Sequence, residues 1–315
     1  MEVLLVGTGY MAKEYAKVLE GLKASYEVIG RGEANCNSFK DMFPQARVYA
    51  GGLESFQPNN KYTHGIISSN VDYLASHTKL LIGLGIKDIL LEKPGGTNLQ
   101  DIVDLAEFAR KNQAKIAIAY NRRFYSTVLK CRELIEEDGG VKSFHFEFTE
   151  WPHTIEDLPN YETVKNNLLF ANSTHIIDMA FYLGGTPKEM KSYATDKLEW
   201  HPKAIFTGAG ITNNNALFSY QANWKGPGRW VAEFVTDKHR YIFKPLEMLQ
   251  IQELKSVKVE QLVIEDELDK IYKPGLYKQT KAFLFHPEDS SLIYLEQQEQ
   301  NCREIYQVIL EGNYK

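Results

Sequence analysis

Val3-Leu4-Leu5-Val6-Gly7-Thr8-Gly9-Tyr10-Met11-Ala12 sets a short apolar run directly against a GxGxxA sequence. The unbroken run Val3 to Val6 is the pattern of a strand buried on both faces, as strands of a parallel sheet are. Met11, Tyr15, Val18, Leu19 and Leu22 then recur at helical spacing. Strand, glycine turn and helix in that order suit a dinucleotide. Gly7 permits the tight turn, Gly9 lets the backbone approach a pyrophosphate, and Ala12 lets the helix pack close to the strand. The turn residue Thr8 and the first helical residues Tyr10 and Met11 bring free N–H groups to the phosphates.

The alternation continues along the chain. A second strand, Tyr26-Glu27-Val28-Ile29, ends in Gly30-Arg31-Gly32-Glu33. An acid at this place suits the adenosine ribose of NAD, and an arginine suits the extra phosphate of NADP. Arg31 occupies it, and its planar fork matches phosphate geometry, whereas Glu33 keeps NAD open. A strand near Ala46 to Tyr49 precedes a fourth, His64 to Asn70, whose polar tip Ser68, Ser69 and Asn70 can bond the cofactor or cap the next helix. In that helix His77 reads as a helix-face residue. The fifth strand, Ile89-Leu90-Leu91, closes on Glu92-Lys93-Pro94. Proline ends the ladder, and ligands sit at the carboxyl ends of strands in open α/β sheets, so Lys93 points where chemistry would be done. A sixth strand, Ile116 to Ala119, runs into Tyr120-Asn121-Arg122-Arg123-Phe124. The β-α regularity predicts an α/β fold with a doubly wound parallel sheet over residues 1–123.

After a helix around Thr127 to Glu137 the period changes. Phe144, Phe146 and Phe148 alternate with His145, Glu147 and Thr149, the mark of a strand with one buried face. A long helix is expected over roughly Glu162 to Leu183, stopped by Gly184-Gly185. Strands are expected at Ala216–Ala222, Trp230–Val235, Arg240–Phe243 and Leu246–Leu254, with a turn at Thr236-Asp237-Lys238. Strands this close in sequence predict a large, mainly antiparallel, open-faced sheet in an α+β domain over 124–315. Closing helices are expected near Leu276–Phe285 and Asp289–Glu311, the last able to dock on the first domain.

Length and composition agree with two domains: 315 residues exceed what one core supports. A formal charge of −5 argues against a nucleic-acid partner. Cys36, Cys131 and Cys302 show no metal spacing and read as reduced thiols of a cytoplasmic protein. The start shows no secretory pattern, and the most apolar later stretch, Leu80 to Ile86, is too short to cross a bilayer, so no membrane partner is expected.

Gly7-x-Gly9-x-x-Ala12, Glu92-Lys93-Pro94, Tyr120-Asn121-Arg122-Arg123-Phe124 and His175-Ile176-Ile177-Asp178 follow one another at suitable separations. In this the chain resembles the glucose–fructose oxidoreductase / inositol dehydrogenase / MocA family, over almost its whole length. The resemblance implies a Rossmann domain followed by a substrate-binding and oligomerisation domain. It places Lys93 near nicotinamide and substrate, gives Pro94 a cis peptide, and has Glu92 position the cofactor. Asn121 and Arg123 are implied at the cofactor, Arg123 with Phe124 at the domain boundary. His175 is implied as the partner acid/base, with Asp178 one turn on. The chain departs from the family's pattern at Ala171, where relatives carry an aspartate, at the Ser68-Ser69-Asn70 tip and at Leu74.

Hydride transfer needs a group to take or give the alcohol proton. A lysine serves when its surroundings pull its pKa toward neutrality, and an imidazole titrates near ~6.5 untuned. The expectation is an NAD(P)-dependent oxidoreductase of a sugar-like, possibly nucleotide-sugar, alcohol or ketone, with Lys93 and His175 as acid and base and no metal. Tyr120, Trp151, Asn172, Tyr277 and Lys278 are substrate candidates, and Lys278 or Arg229 can meet an anionic group. A homodimer or homotetramer is expected. A cofactor-binding sensor without turnover is the competing expectation, and redox-assisted sugar-bond cleavage with tightly held NAD a third.

Overall fold

The computed structural model describes residues 1–58, 61–157 and 162–312. The chain divides into two compact units, Met1–Asn121 with Leu268–Gln300, and Arg122–Glu267 with Asn301–Lys315.

In the first unit β1 (Glu2–Val6), α1 (Tyr10–Gly21), β2 (Ser25–Ile29), α2 (Glu33–Met42), β3 (Arg47–Tyr49), β4 (His64–Ile67), α3 (Leu74–Gly83), β5 (Asp88–Leu91), α4 (Leu99–Asn112) and β6 (Lys115–Ile118) alternate as the sequence predicts. Helix α2 and its polar face give too weak a period to be seen beforehand; only Cys36 and Phe39 are buried on it. Strands β1 to β6 run parallel in the order β3-β2-β1-β4-β5-β6. Val3, Leu4 and Leu5 have no exposed surface, as a strand covered on both faces requires. The Lys93–Pro94 peptide is cis. Asn98 caps α4 by accepting from the Asp101 N–H at 3.1 Å.

The linear boundary after residue 123 does not describe the division. Residues 268–300 belong to the first unit, with most of α8 (Glu267–Ile271), all of α9 (Leu276–Phe285) and β15 (Ile293–Tyr294). β15 pairs antiparallel with β6, Ile293 opposite Ile118, and so covers an edge that would otherwise stand open. That strand also shortens the expected closing helix, which begins at α10 (Leu295–Asn301) and runs through a π turn, Cys302–Tyr306, into α11 (Gln307–Glu311). The chain end then packs within the second unit, where a Cβ on Gly312 would lie 2.5 Å from the Ala194 nitrogen.

The second unit holds α5 (Ser126–Glu137), β7 (Ser143–Glu147), α6 (Glu162–Asn166), α7 (Thr174–Gly184), β8 (Pro187–Thr195), β9 (Ile205–Thr212), β10 (Leu217–Asn223), β11 (Val231–Val235), β12 (His239–Phe243), β13 (Leu249–Glu253) and β14 (Val259–Gln261). The eight strands form one sheet in the order β14-β13-β12-β11-β7-β10-β9-β8, antiparallel except where β7 meets β10. The alternating phenylalanines of β7 build the core: Phe144 stacks on Phe218 and Phe234 and meets Phe181 of α7 edge-on. Strand β9 escaped the sequence reading because glycines interrupt its pattern. A Cβ on Gly208 would sit 2.4 Å from the Tyr220 ring, so the neighbouring strand's aromatic demands glycine there.

The expected long helix is broken. A π turn, Leu169–Ser173, separates α6 from α7, and it brings both Asn172 and Ser173 onto the buried carboxylate of Glu150. α7 ends at Gly185, whose φ of +97° a residue with a Cβ would rarely adopt. It is tied to the chain before α5 by Arg123, which donates from Nε and Nη2 to the two Asp178 oxygens at 2.7 and 2.6 Å. The Asp178 side chain is 1 % exposed, so removing it would strand a buried guanidinium. Asp178→Ala is expected to cost about 3–5 kcal/mol of unfolding free energy, read from urea titrations of the two proteins.

Candidate functional site

The carboxyl ends of β1, β2 and β4 surround a cavity of about 330 Å³. Gly7, Thr8 and Gly9 line one wall, Arg31, Gly32 and Asn35 another, and Ser68, Ser69 and Asn70 a third, with Glu54, Tyr73 and His77 completing it. Gly7 has φ +120°, and a Cβ there would fall 3.0 Å from the Ser68 carbonyl oxygen. Over Gly9, by contrast, a Cβ would meet nothing within 4 Å, so the floor of the cavity at the start of α1 is open. No side chain caps that helix and no acid lies in its first turn, which keeps its N–H groups and positive dipole end for an anion. The cradle fits a pyrophosphate.

Arg31 is held rather than loose: its Nη1 donates to the Tyr73 hydroxyl at 2.8 Å, and its guanidinium carbon lies 5.0 Å from that ring's centroid. Glu33, in the first turn of α2, does not line the cavity, but Glu54 does. The Glu54 carboxyl is held below its ordinary value by its own backbone N–H, and His77 and Arg31 add to this. Tyr73, Glu54 and His77 were not singled out as ligand-facing in sequence, although Tyr73 and His77 stack one turn apart, ring centroids 5.5 Å, just after the polar tip of β4. Ser68 turns back to donate to the Val6 carbonyl at 3.1 Å.

The other expected cofactor and substrate residues of the first unit lie outside this cavity. Tyr10 is 66 % exposed beneath the Lys273 ammonium, and Met11 is half-buried. Glu92 accepts from Tyr15 Oη at 2.9 Å; burial pushes its carboxyl above the ordinary range, and neighbouring Lys93 pulls the other way. Lys93 follows at the tip of β5, half-buried. Tyr120 is fully buried and accepts from Gln298, and Asn121 donates to the Pro274 carbonyl at 2.9 Å. Tyr277 and Lys278 stand on α9, so they belong to the first unit and not to the second as the sequence suggested.

In the second unit His175 opens α7, 8 % exposed, with its ring centroid 6.2 Å from that of Trp230. Arg122 and Arg229 both lie over Trp230, at 4.7 and 4.9 Å, and Arg229 also covers Trp151 at 4.6 Å. The Trp151 indole donates to the Gly228 carbonyl at 2.8 Å, fixing the ring. Glu150 accepts from Ser173 at 2.7 Å and Asn172 at 2.9 Å, and Arg229 approaches it to 3.6 Å. Burial pushes Glu150 above the carboxylate range, and these donors partly restore it. Arg123, expected at the cofactor, commits two donors to Asp178, and Asp178 therefore pairs with that arginine.

His77 gives a pH signature. Its Nδ1 lies 3.0 Å from Ser69 Oγ and its Nε2 3.4 Å from Glu54, which suits a neutral ring with Nε2–H toward the acid. Burial lowers its pKa, only partly opposed by Glu54. A depressed histidine contributes stability that is present above the unfolded value, about 6.5, and is lost as pH falls through the folded one. His64 and His201 are depressed by burial and add the same sign. The thermal midpoint is therefore expected to fall on acidification below about pH 6.5, and to fall less in His77→Gln.

No family model matches the chain. An oxidoreductase of Schizosaccharomyces pombe, itself uncharacterised, is 26% identical over 209 residues, 63% of this chain and 54% of that protein. The chain spans about half the length of the curated relatives it matches. Among solved structures, an Agrobacterium radiobacter oxidoreductase in complex with NAD+, L-tartaric acid and magnesium superposes with a TM-score of 0.80 at 11% identity, over 99% of this chain and 96% of that one. A Gfo/Idh/MocA family oxidoreductase from Vibrio cholerae gives 0.78 at 14% identity, over 99% and 97%. The chain thus has the two-domain fold of those oxidoreductases, a doubly wound parallel sheet joined to a mainly antiparallel one.

Proposed function

We propose that the protein is an NAD(P)-dependent oxidoreductase that moves a hydride between nicotinamide and a sugar-like alcohol or ketone. The observation that carries this reading is the open cradle at Gly7-Thr8-Gly9, set at the N-terminus of α1 and walled by the tips of β2 and β4. The oxidoreductase names of the relatives agree with it. When bound, the nicotinamide supplies or accepts the hydride. The chain's own part is the proton: Lys93 at the end of β5 and His175 at the start of α7 are proposed as the acid/base pair. Retention of both speaks against a sensor that binds cofactor and turns over nothing.

For the cofactor, we favour NADP because Arg31 faces the cavity pre-oriented by Tyr73, ready for a bidentate bond to phosphate. Glu54 supports NAD as a second reading, since an ionised carboxylate in the same cavity suits ribose hydroxyls. Three buried free thiols suit a reducing compartment such as the cytoplasm, and no described helix is long and apolar enough to cross a membrane. We also propose that two or four copies pair through the outer face of the second sheet. Its groove of about 490 Å³ between β7, β10 and β11 is bordered by Leu217, 60 % exposed.

Three measurements test these readings. Fluorescence titration is expected to show NADPH bound more tightly than NADH, with Arg31→Ala weakening NADPH alone by about tenfold; NADPH affinity unchanged in that variant excludes the phosphate role. With a panel of keto-sugars, Lys93→Ala and His175→Ala are each expected to lower kcat by about 10²–10⁴-fold at unaltered cofactor affinity. Tight cofactor binding with no turnover on any keto-sugar would favour the sensor. Sedimentation should give a dimer or tetramer that Leu217→Glu dissociates.

A further inference from the structure

We infer that the substrate carries an oxyanion, a carboxylate or a phosphate, which Arg122 and Arg229 grip over the face of Trp230 beside His175. This rests on the hydride-transfer reading for its location and goes beyond it in naming the class of molecule.

Two guanidinium groups share one indole ring, at 4.7 and 4.9 Å. Such a ring attracts each cation by its quadrupole, but two like charges brought to it repel each other. The compensation inside the unit is incomplete. Arg229 is 3.6 Å from Glu150, whose two oxygens already accept from Ser173 and Asn172. Among the described residues no carboxylate comes within ion-pair distance of Arg122. Its side chain is partly buried, and desolvation is the main influence on it, with Tyr125, Glu247 and Glu150 acting only through space.

An arginine cannot escape this cost by losing its proton. A buried guanidinium without a carboxylate is expensive, and the expense is recovered when a ligand brings the missing anion. The surroundings fit that use. The Arg229 side chain is 47 % exposed and so accessible, Trp230 is 5 % exposed, and Trp151 is pinned by its bond to Gly228. His175 touches the same ring from α7, which sets the proposed acid/base one aromatic ring away from the anion grip.

A sugar acid and a sugar phosphate share this chemistry, and their binding separates them. Calorimetric titrations of the protein saturated with NADP+ would compare glucuronate, glucose 6-phosphate and glucose. At least one acid is expected to bind about tenfold tighter than glucose, and which acid it is identifies the source of the anion. Arg122→Gln and Arg229→Gln should each remove most of that preference, and Arg122→Lys, which retains the charge, should keep part of it and guards against a folding defect. No preference for either acid over glucose, or a preference that survives the double substitution, overturns the inference. Binding is the readout, so the two levels separate. Acid preference without hydride transfer to any ketone would sink the proposed function and leave the anion grip standing. Turnover of neutral sugars with no acid preference would do the reverse.

Discussion

Parallel pairing of β1 with β2 on one side and β4 on the other is the constraint on which the rest depends. Parallel strands put all their carboxyl ends at one edge, and the order reverses direction between β1 and β4, so the connections leave β1 and β4 on opposite sides. A crevice must open at that point. Everything that lines it follows from where three strands end: the glycine turn after β1, Arg31 after β2 and the Ser68-Ser69-Asn70 tip after β4. The glycines belong to the same constraint. Gly7 is pressed to within Cβ distance of Ser68, and Gly30 is hemmed in by Thr8 and Cys36, so the two neighbouring strand ends can approach.

The two units solve the problem of polar burial differently. In the first, polar groups near the cavity form a chain in which each side chain orients the next: Arg31 to Tyr73, Tyr73 against His77, and His77 between Ser69 and Glu54. Such a network holds its members in one arrangement because any break would leave a polar atom poorly satisfied. In the second, opposite charges are paired outright where the fold needs them, as Arg123 with Asp178. Beside that pair, Arg122 sits on an aromatic face with no carboxylate within ion-pair distance among the described residues. Adjacent arginines thus do unlike work, one fastening α7 and the other set on the Trp230 ring.

Helix irregularity serves the same region. The π turn at Leu169–Ser173 adds a residue to the coil just before His175, and it turns Asn172 and Ser173 onto Glu150. Without it, a regular helix from Glu162 onward would carry those side chains on other faces. Glu150 in turn stands three residues beyond β7, so the first strand of the second sheet and the π turn that leads into α7 are joined through one buried acid.

Local sequence by itself determined the parallel sheet, the glycine cradle, Arg31 at the second strand tip and the phenylalanine face of β7. Each of these is written in neighbouring residues: an apolar run, a glycine spacing or a period of two, all set by backbone sterics and side-chain direction over a few positions. Only the tertiary structure decided the return of residues 268–300 to the first sheet, the glycine-interrupted strand β9, the π turn, and the company kept by Arg122, Arg123, Glu54 and His77. These depend on partners far off in sequence, Ile293 on Ile118, Asp178 on Arg123 and Trp230 on Arg122. An isolated residue carries no sign of such partners, because edge pairing, charge compensation and ring contact are settled only when distant segments are brought within a few ångströms.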